Sequence, residues 1–336
     1  MLPKNWKPQE VFGLSTQTWG VLALQAAVKV DVFTPMDTDQ GASAAELAKA
    51  LQVNERALGM LLTALTSMQF IEREGDRFFL TESSRRYLSK KSDEYYGSII
   101  LHSDNILHQW VHLDESVRTG LPIPETEMTP DEIEKERQDF LMGMFNVAQH
   151  QAHMVADAFD LKGRTHLLDM GGGSGTYAIH FCQKNPTLHA TIVDLLTTKP
   201  YAESVINQYQ MADRVDFVAA NFLTGEFPQN VDATWLSQVL HGESPEGAQK
   251  LVQRASDAMA SGGVMGIQEF MLANDLKGPM HSALFSLNML LQTDGGQSYT
   301  VHEIRTMMGN AGIKNIRFLE VALPPSCKIL IGEKAA

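Results

Sequence analysis

A β-like run, His166-Leu167-Leu168-Asp169-Met170, passes directly into Gly171-Gly172-Gly173-Ser174-Gly175, and a helical window from Thr176 to Lys184 follows. Glycines let the backbone turn sharply and approach a ligand closely, while the start of the next helix offers free amides and the positive end of a dipole. A dinucleotide cradle uses Gly-x-Gly-x-x-Gly; Thr176 fills the last position here, so the fit is to Gly-x-Gly-x-Gly. No Gly-x-x-x-x-Gly-Lys-Ser/Thr phosphate loop occurs. The next β-like run ends at Asp194, 23 residues after Gly171, where a carboxylate can accept both hydroxyl protons of an adenosine ribose. Strand, glycine loop, helix, strand and acid together point to a nucleoside cofactor, not an ordinary tight turn.

Those residues need a scaffold that brings strand ends together. Beyond Gly163 short β-rich runs alternate with helical windows: His166–Met170, Ala190–Asp194, Val215–Ala219, Ala233–Ser237, Val264–Glu269, Ile316–Val321 and Lys328–Gly332. That texture predicts an α/β, Rossmann-like parallel sheet with crossover helices. Thr300-Val301-His302-Glu303 supplies a capping box for one of them. The first part reads differently. Residues 10 to 33 have helical apolar spacing, Ser43-Ala44-Ala45-Glu46 forms a capping box, and Asn54 caps a helix whose Leu58, Leu61, Leu62, Leu65 and Met68 make one inward stripe. Phe70–Arg73 and Arg77–Leu80 then flank Glu74-Gly75-Asp76, a hairpin pattern, so helix, helix and hairpin predict a winged-helix arrangement. Long helical runs over Tyr95–Gly120 and Asp131–Asp160 are separated by an acidic, Pro-bearing connector, Leu121–Pro130. The expected division is 1–95, a helical connector over 96–162, and 163–336.

Composition narrows the function classes. With 336 residues and 44% apolar side chains the chain has enough material for two cores. The formal charge of −13 splits into −1 over the first 100 residues and −12 over the rest, so neither part offers the basic field that phosphate binding draws on. Met1–Glu10 has no apolar leader, and Val21–Phe33 is interrupted by Gln25, Lys29 and Asp31, so neither a secretory signal nor a membrane span is expected. The two cysteines, Cys182 and Cys327, lack paired spacing and are expected as reduced thiols in the cytoplasm. His108 and His112, or His150 and His153, have helical pair spacing but no third ligand nearby, and no metal site is expected.

The chain resembles the S-adenosylmethionine-dependent O-methyltransferases that join an N-terminal winged-helix dimerisation domain to a class I methyltransferase domain. The resemblance rests on Leu168-Asp169-Met170-Gly171-Gly172-Gly173-Ser174-Gly175, Val193-Asp194-Leu195, Asn221-Phe222, Val239-Leu240-His241, and Gly262-Gly263 before the strand ending in Glu269. Position by position it implies that Gly171 and Gly173 line the methionine moiety of S-adenosylmethionine, that Asp194 holds the ribose, and that Asn221 and Phe222 border the adenine. Asn221 stands where family members usually have Asp, and Ser237 where some have a Lys contributing to the cofactor site.

Methyl transfer from a sulfonium to oxygen is an in-line displacement whose leaving group departs neutral, so the protein must align the partners and remove a proton. His241 follows the strand from Ala233, at the carboxyl end of the sheet where α/β active sites form, and with the resemblance it is the candidate general base. Glu269 ends another strand, and the resemblance implies that it orients the imidazole and stabilises its protonated form. Met144 and Met289 match positions that line the acceptor pocket in relatives, and thioether contacts suit an aromatic acceptor. At the reacting end there are two further departures from the family: Gly242-Glu243 follows the His where Asp-Trp is common, and Ser298, aligned through Gly295-Gly296, stands where a second Glu is usual. A carbon or sulfur acceptor with the site used mainly for positioning, or a silent cofactor binder, are the neighbouring readings. A ligand-sensing winged-helix transcription regulator is the reading of another class, but Asn54–Met68 carries only Arg56 as a basic residue. The expected partners are a small-molecule acceptor and a second copy of the chain through apolar N-terminal helices, with no nucleic acid and no membrane.

Overall fold

The computed structural model describes residues 5–124 and 127–335. Met1–Lys4 of the N-terminal segment, and Glu125 and Thr126 of the acidic connector, lie outside the described residues. The chain divides into two compact units, one running to Ile106 and including Lys135–Asn146, the other comprising Leu107–Glu134 and Val147 onward, and the helix Pro130–Ala158 supplies residues to both.

In the first unit a long helix, Pro8–Lys29, precedes β1 (Ala42–Ser43), the helices Ala44–Leu51 and Glu55–Ser67, and the hairpin of β2 (Ile71–Glu74) and β3 (Arg77–Leu80). The two shorter helices start where the sequence supplies a cap: Ser43 and Glu46 exchange hydrogen bonds across a capping box, and Asn54 Oδ1 accepts the Ala57 amide at 3.0 Å. The three strands lie in the order β1-β3-β2, all antiparallel. Leu58, Leu62 and Leu65 are buried with Phe33, Met36, Leu47, Ile71 and Phe78 in one core. The Pro8–Lys29 helix leaves Val11, Phe12, Trp19, Val21 and Leu22 exposed, Phe12 at 70% and Trp19 at 69%.

The second unit is built on a seven-stranded sheet. Its strands are β4 (His166–Met170), β5 (His189–Asp194), β6 (Val215–Ala219), β7 (Val231–Ser237), β8 (Met259–Phe270), β9 (Ile313–Phe318) and β10 (Cys327–Lys334), in the order β6-β5-β4-β7-β8-β10-β9. Neighbours from β6 through β8 are parallel, and only β10 runs antiparallel to both strands beside it. Central strands covered on both faces must be apolar almost throughout, which is why Leu167, Leu168, Ile192, Val193, Trp235 and Leu236 are all buried. This is the α/β, Rossmann-like architecture expected from the sequence, except that the sheet expected to be parallel is mixed, with β10 inserted antiparallel; the order reverses at β4, so β4 and β7 form the switch point where α/β sheets bind ligands.

Two differences have local causes. The stretch read as one helix over Tyr95–Gly120 forms three short helices, Gly97–Asn105, Leu107–Trp110 and Leu113–Thr119. Ser103, Asp104 and Asn105 end the first, residue types whose short polar side chains compete for backbone bonds. The strand expected at Ile316–Val321 begins three residues earlier, at Ile313, because the helix Val301–Asn310 ends early and Gly312, at φ +80°, turns the chain directly into the sheet. Among the described residues no helix is long and apolar enough to cross a membrane.

Candidate active site

The glycine loop leaves β4 and folds back over the tip of β5. Gly171 has φ +70°, and its amide donates to the Val193 carbonyl at 2.8 Å; a side chain there would also strike Val239, whose Cγ2 lies 2.6 Å from the position of a Cβ. Gly173, at φ +55°, has open space on its Cβ side, and its amide donates to Asp194 Oδ2 at 2.9 Å. The loop and the acid at the end of the neighbouring strand are therefore joined by a direct hydrogen bond. Asp194 Oδ1 accepts the Leu195 amide at 2.7 Å and the Thr198 hydroxyl at 3.1 Å, which leaves a lone pair on Oδ2 for a further donor. Leu195 beside it is 49% exposed. An open glycine surface, a helix starting at Thr176 and a carboxylate with spare accepting capacity fit an adenosyl group.

Beneath the loop, Asp169 is 1% exposed, and neither carboxylate oxygen has a partner of normal hydrogen-bond geometry. Burial, and then the charge of Asp194, push its carboxyl up to about 7, an effect the Ala178 amide offsets only in part. The chain after β6 is tied to the same region by the Ala220 amide, which donates to the Asp194 carbonyl at 2.9 Å. Asn221 is exposed, its Oδ1 accepting the Leu223 amide at 2.9 Å. Half-buried Phe222 reaches to 3.8 Å from the Cβ position of Gly171. Ser237, the last residue of β7, pairs with the Tyr177 hydroxyl, which also accepts from Gln268 Nε2 at 2.8 Å.

The candidate reacting end is assembled from more distant segments. After β7 a short 3₁₀ turn, Leu240–Gly242, carries His241. Its Nδ1 lies 2.8 Å from Glu269 Oε2, while Glu269 Oε1 accepts the Leu240 amide at 2.8 Å and the His241 amide at 3.4 Å. Glu269 is 2% exposed, so this carboxylate is buried and paired at both oxygens. A carboxylate can only accept, so the proton of the neutral imidazole sits on Nδ1 and Nε2 carries the lone pair. The turn is held from other sides too. Tyr299 donates its hydroxyl to the Glu243 carbonyl at 2.5 Å, and a Cβ on Gly296 would sit 2.4 Å from the His241 carbonyl oxygen. The Phe285 ring lies 4.7 Å from the imidazole.

Of the residues singled out in the sequence, Gly171, Gly173, Asp194 and Phe222 come together around the glycine loop, and His241 and Glu269 form a hydrogen-bonded pair. Met289 is buried on the helix Met280–Gln292, next to Asn288, whose Oδ1 accepts Trp110 Nε1 at 2.8 Å. Met144 is half-buried in the first unit. Ser298 is 5% exposed, its amide donating to Ser286 Oγ at 3.2 Å and its own hydroxyl unpaired among the described residues. Sequence reasoning missed Tyr177, Gln268 and Phe285. Gln268 had a signal, since two polar residues, Gln268-Glu269, follow the apolar run Val264–Ile267 within one strand; Phe285 had none, being one aromatic in a mostly apolar helix. Among the described residues no group of three or more His, Cys, Asp or Glu is placed to hold a metal ion.

Comparison with known proteins covers both parts of the chain. The family model of the O-methyltransferase domain matches residues 110–314, and that of the O-methyltransferase dimerisation domain matches residues 15–90. The chain is 30% identical to the 3-hydroxy-5-methyl-1-naphthoate 3-O-methyltransferase of Streptomyces sahachiroi, over 99% of this chain and 97% of that protein. It is 28% identical to the tetracenomycin polyketide synthesis 8-O-methyl transferase of Streptomyces glaucescens, over 97% of each. Among solved structures, an O-methyltransferase family protein from Burkholderia thailandensis superposes with a TM-score of 0.85 at 25% identity, over 99% of both chains.

Proposed function

The chain belongs to the O-methyltransferase family, and on that premise we propose that it methylates the hydroxyl of a small aromatic acceptor, with His241 as the general base. It is an S-adenosylmethionine-dependent methyltransferase acting on small molecules. When bound, S-adenosylmethionine supplies a methyl group on a positively charged sulfur, an electrophile whose leaving group departs neutral. Gly171 and Gly173 line its methionine part, Asp194 accepts from the ribose through the spare lone pair on Oδ2, Asn221 and Phe222 flank the adenine, and Ser237 at the end of β7 completes the cofactor-binding set. The exposed face of Leu195 adds apolar contact next to the ribose acid.

The single observation that carries the reading is the His241–Glu269 pair. Glu269 holds the imidazole through Nδ1, so Nε2 accepts the proton of the acceptor hydroxyl as the oxygen attacks the methyl carbon. The resulting imidazolium keeps its Nδ1–H bond to the carboxylate, now charge-assisted, so the proton rests on His241 and Glu269 stays ionised. Met289 of the second unit, and separately Met144 of the first, are each carried over from the resemblance as acceptor-binding residues, since a thioether suits an aromatic ring. The relative from Streptomyces sahachiroi, named for 3-O-methylation of a hydroxynaphthoate, supports an aromatic acceptor, and the one from Streptomyces glaucescens, named as an 8-O-methyl transferase of polyketide synthesis, supports an oxygen one.

In the same reading the chain is a homodimer in the cytoplasm. Residues 1–95 form the winged-helix dimerisation domain, 96–162 a helical connector contributing to the dimer and acceptor pocket, and 163–336 the cofactor-binding domain. Support comes from the match to the dimerisation model and from the exposed Phe12 and Trp19 of the first helix, apolar area that a second copy would cover. The test is transfer of isotope-labelled methyl from S-adenosylmethionine to a panel of hydroxynaphthoates and other phenols, their O-methyl ethers included as blocked controls. Labelled ether from the free phenols alone supports the reading; label on carbon, or equal labelling of the blocked controls, rejects it.

A further inference from the structure

The Phe285 ring stands almost perpendicular to the His241 imidazole, centroids 4.7 Å apart and planes at 82°. Phe285 is itself backed by Phe270, at 4.8 Å and 67°, and Phe270 is backed in turn by His281, at 4.7 Å and 80°. His281 sits four residues before Phe285, one turn back on the same helix, its ring 6.1 Å from that of Phe285. Phe270 directly follows Glu269, so one strand end supplies both the carboxylate that binds Nδ1 and the ring that keeps Phe285 in place. A hydrogen bond at one ring nitrogen is a soft restraint on the ring plane, because the outer torsion of histidine is broad and roughly two-fold. The perpendicular contact of a second ring supplies what that bond lacks.

We propose that Phe285 is a positioning residue that sets the plane of the His241 imidazole, so that Nε2 meets the acceptor hydroxyl in one orientation. This rests on the reading of His241 as general base. The role is separable from that of a simple pocket wall, since a wall acts on acceptor affinity and a positioning residue acts on turnover through the base.

The experiment is a double-mutant cycle on the full chain, with steady-state kinetics for a phenolic acceptor and calorimetry for S-adenosylmethionine. Phe285→Leu, which keeps apolar bulk and loses the ring, lowers kcat about 10- to 30-fold with KM for the acceptor changed less than about threefold. Phe285→Tyr, which keeps the ring, stays within about threefold of wild type. In a His241→Ala background, Phe285→Leu has no further effect on kcat. Phe285→Met carries the same expectation as Phe285→Leu should the latter lose cofactor binding. A kcat loss that adds to that of His241→Ala, or a raised KM with kcat held, overturns the inference while leaving the general base standing. Wild-type turnover in His241→Ala alone overturns the general-base reading, and this inference with it.

Discussion

The proposed cofactor cradle and the proposed reacting end lie in the same unit yet are built by different means. In the cradle the decisive contacts are made by main chain: the Gly171 amide to the Val193 carbonyl, the Gly173 amide to Asp194, and the Leu195 amide to the same carboxylate. At the reacting end they are made by side chains from separate stretches, Glu269 on His241, Phe285 on its ring and Tyr299 under its turn. Contacts made by main-chain amides tolerate substitution wherever the glycines and the one accepting side chain, Asp194, are kept, so a cradle can stay constant while sequences drift. Side-chain contacts change with each replacement, and the departures that the family resemblance marks all fall on side chains outside the glycine loop, Asn221 and Ser237 near the cradle and Gly242, Glu243 and Ser298 near the reacting end.

The two regions should therefore fail in different ways. His241→Ala is expected to lower kcat by about 10² to 10⁴ on an oxygen acceptor, with S-adenosylmethionine affinity within about twofold of wild type. Asp194→Ala should do the reverse, weakening cofactor binding by roughly 10- to 100-fold through loss of charge-assisted bonds to the ribose and to the loop amides, with kcat at saturating cofactor near wild type. Calorimetry and saturation kinetics on both variants decide the matter. If Asp194→Ala loses as much turnover at saturation as His241→Ala, the regions act as one unit and the contrast fails.

That contrast also accounts for what was legible in the sequence. The glycine loop could be read because positive φ and helix starts are properties of a few consecutive residues, and Asp194 because a strand end is marked by the shift from apolar to acidic. The seven-stranded sheet followed from period and spacing, as did the caps at Ser43, Asn54 and Thr300. Near His241 the local signal ran out. Its pairing with Glu269 spans 28 residues and depends on β7 and β8 being neighbours; only the family resemblance suggested it. Nothing local linked Phe285, Gly296 or Tyr299 to that turn, because their contacts exist only once the sheet is assembled.

A stability effect of middle size separates the regions by pH. Asp169 lies under the cradle, and its carboxyl is raised by burial to about 7, so the folded protein holds that proton more tightly than the unfolded chain does. The associated stability is complete below the ordinary carboxylate range and is lost as pH rises through about 7. Asp169→Asn keeps a neutral group there at every pH. In the cofactor-free protein its melting temperature relative to wild type should therefore climb by several degrees between pH 5 and pH 8. A melting difference that does not change over that range would mean that Asp169 is ionised throughout and is paired by groups that move to meet it.

The smallest expected effect is the most pointed for the reacting end. Gly242 is exposed, a Cβ there meets nothing within 4 Å, and it is not among the positive-φ glycines, so Gly242→Asp restores the family's usual residue without strain. The new carboxylate would sit just before the helix Pro245–Ala258, whose first turn is capped by Ser244 Oγ, and an acid near a helix start contributes about 0.3–1 kcal/mol. A neutral or slightly raised melting temperature follows, with kcat within about threefold of wild type, as for a surface change that touches no reacting group. Glu269 already satisfies Nδ1 of His241 and both neighbouring amides, which leaves a second acid no hydrogen bond to complete there. A tenfold gain in kcat from Gly242→Asp would show instead that the acid after the histidine is a working part of the site, and that Glu269 alone gives the imidazole too little support.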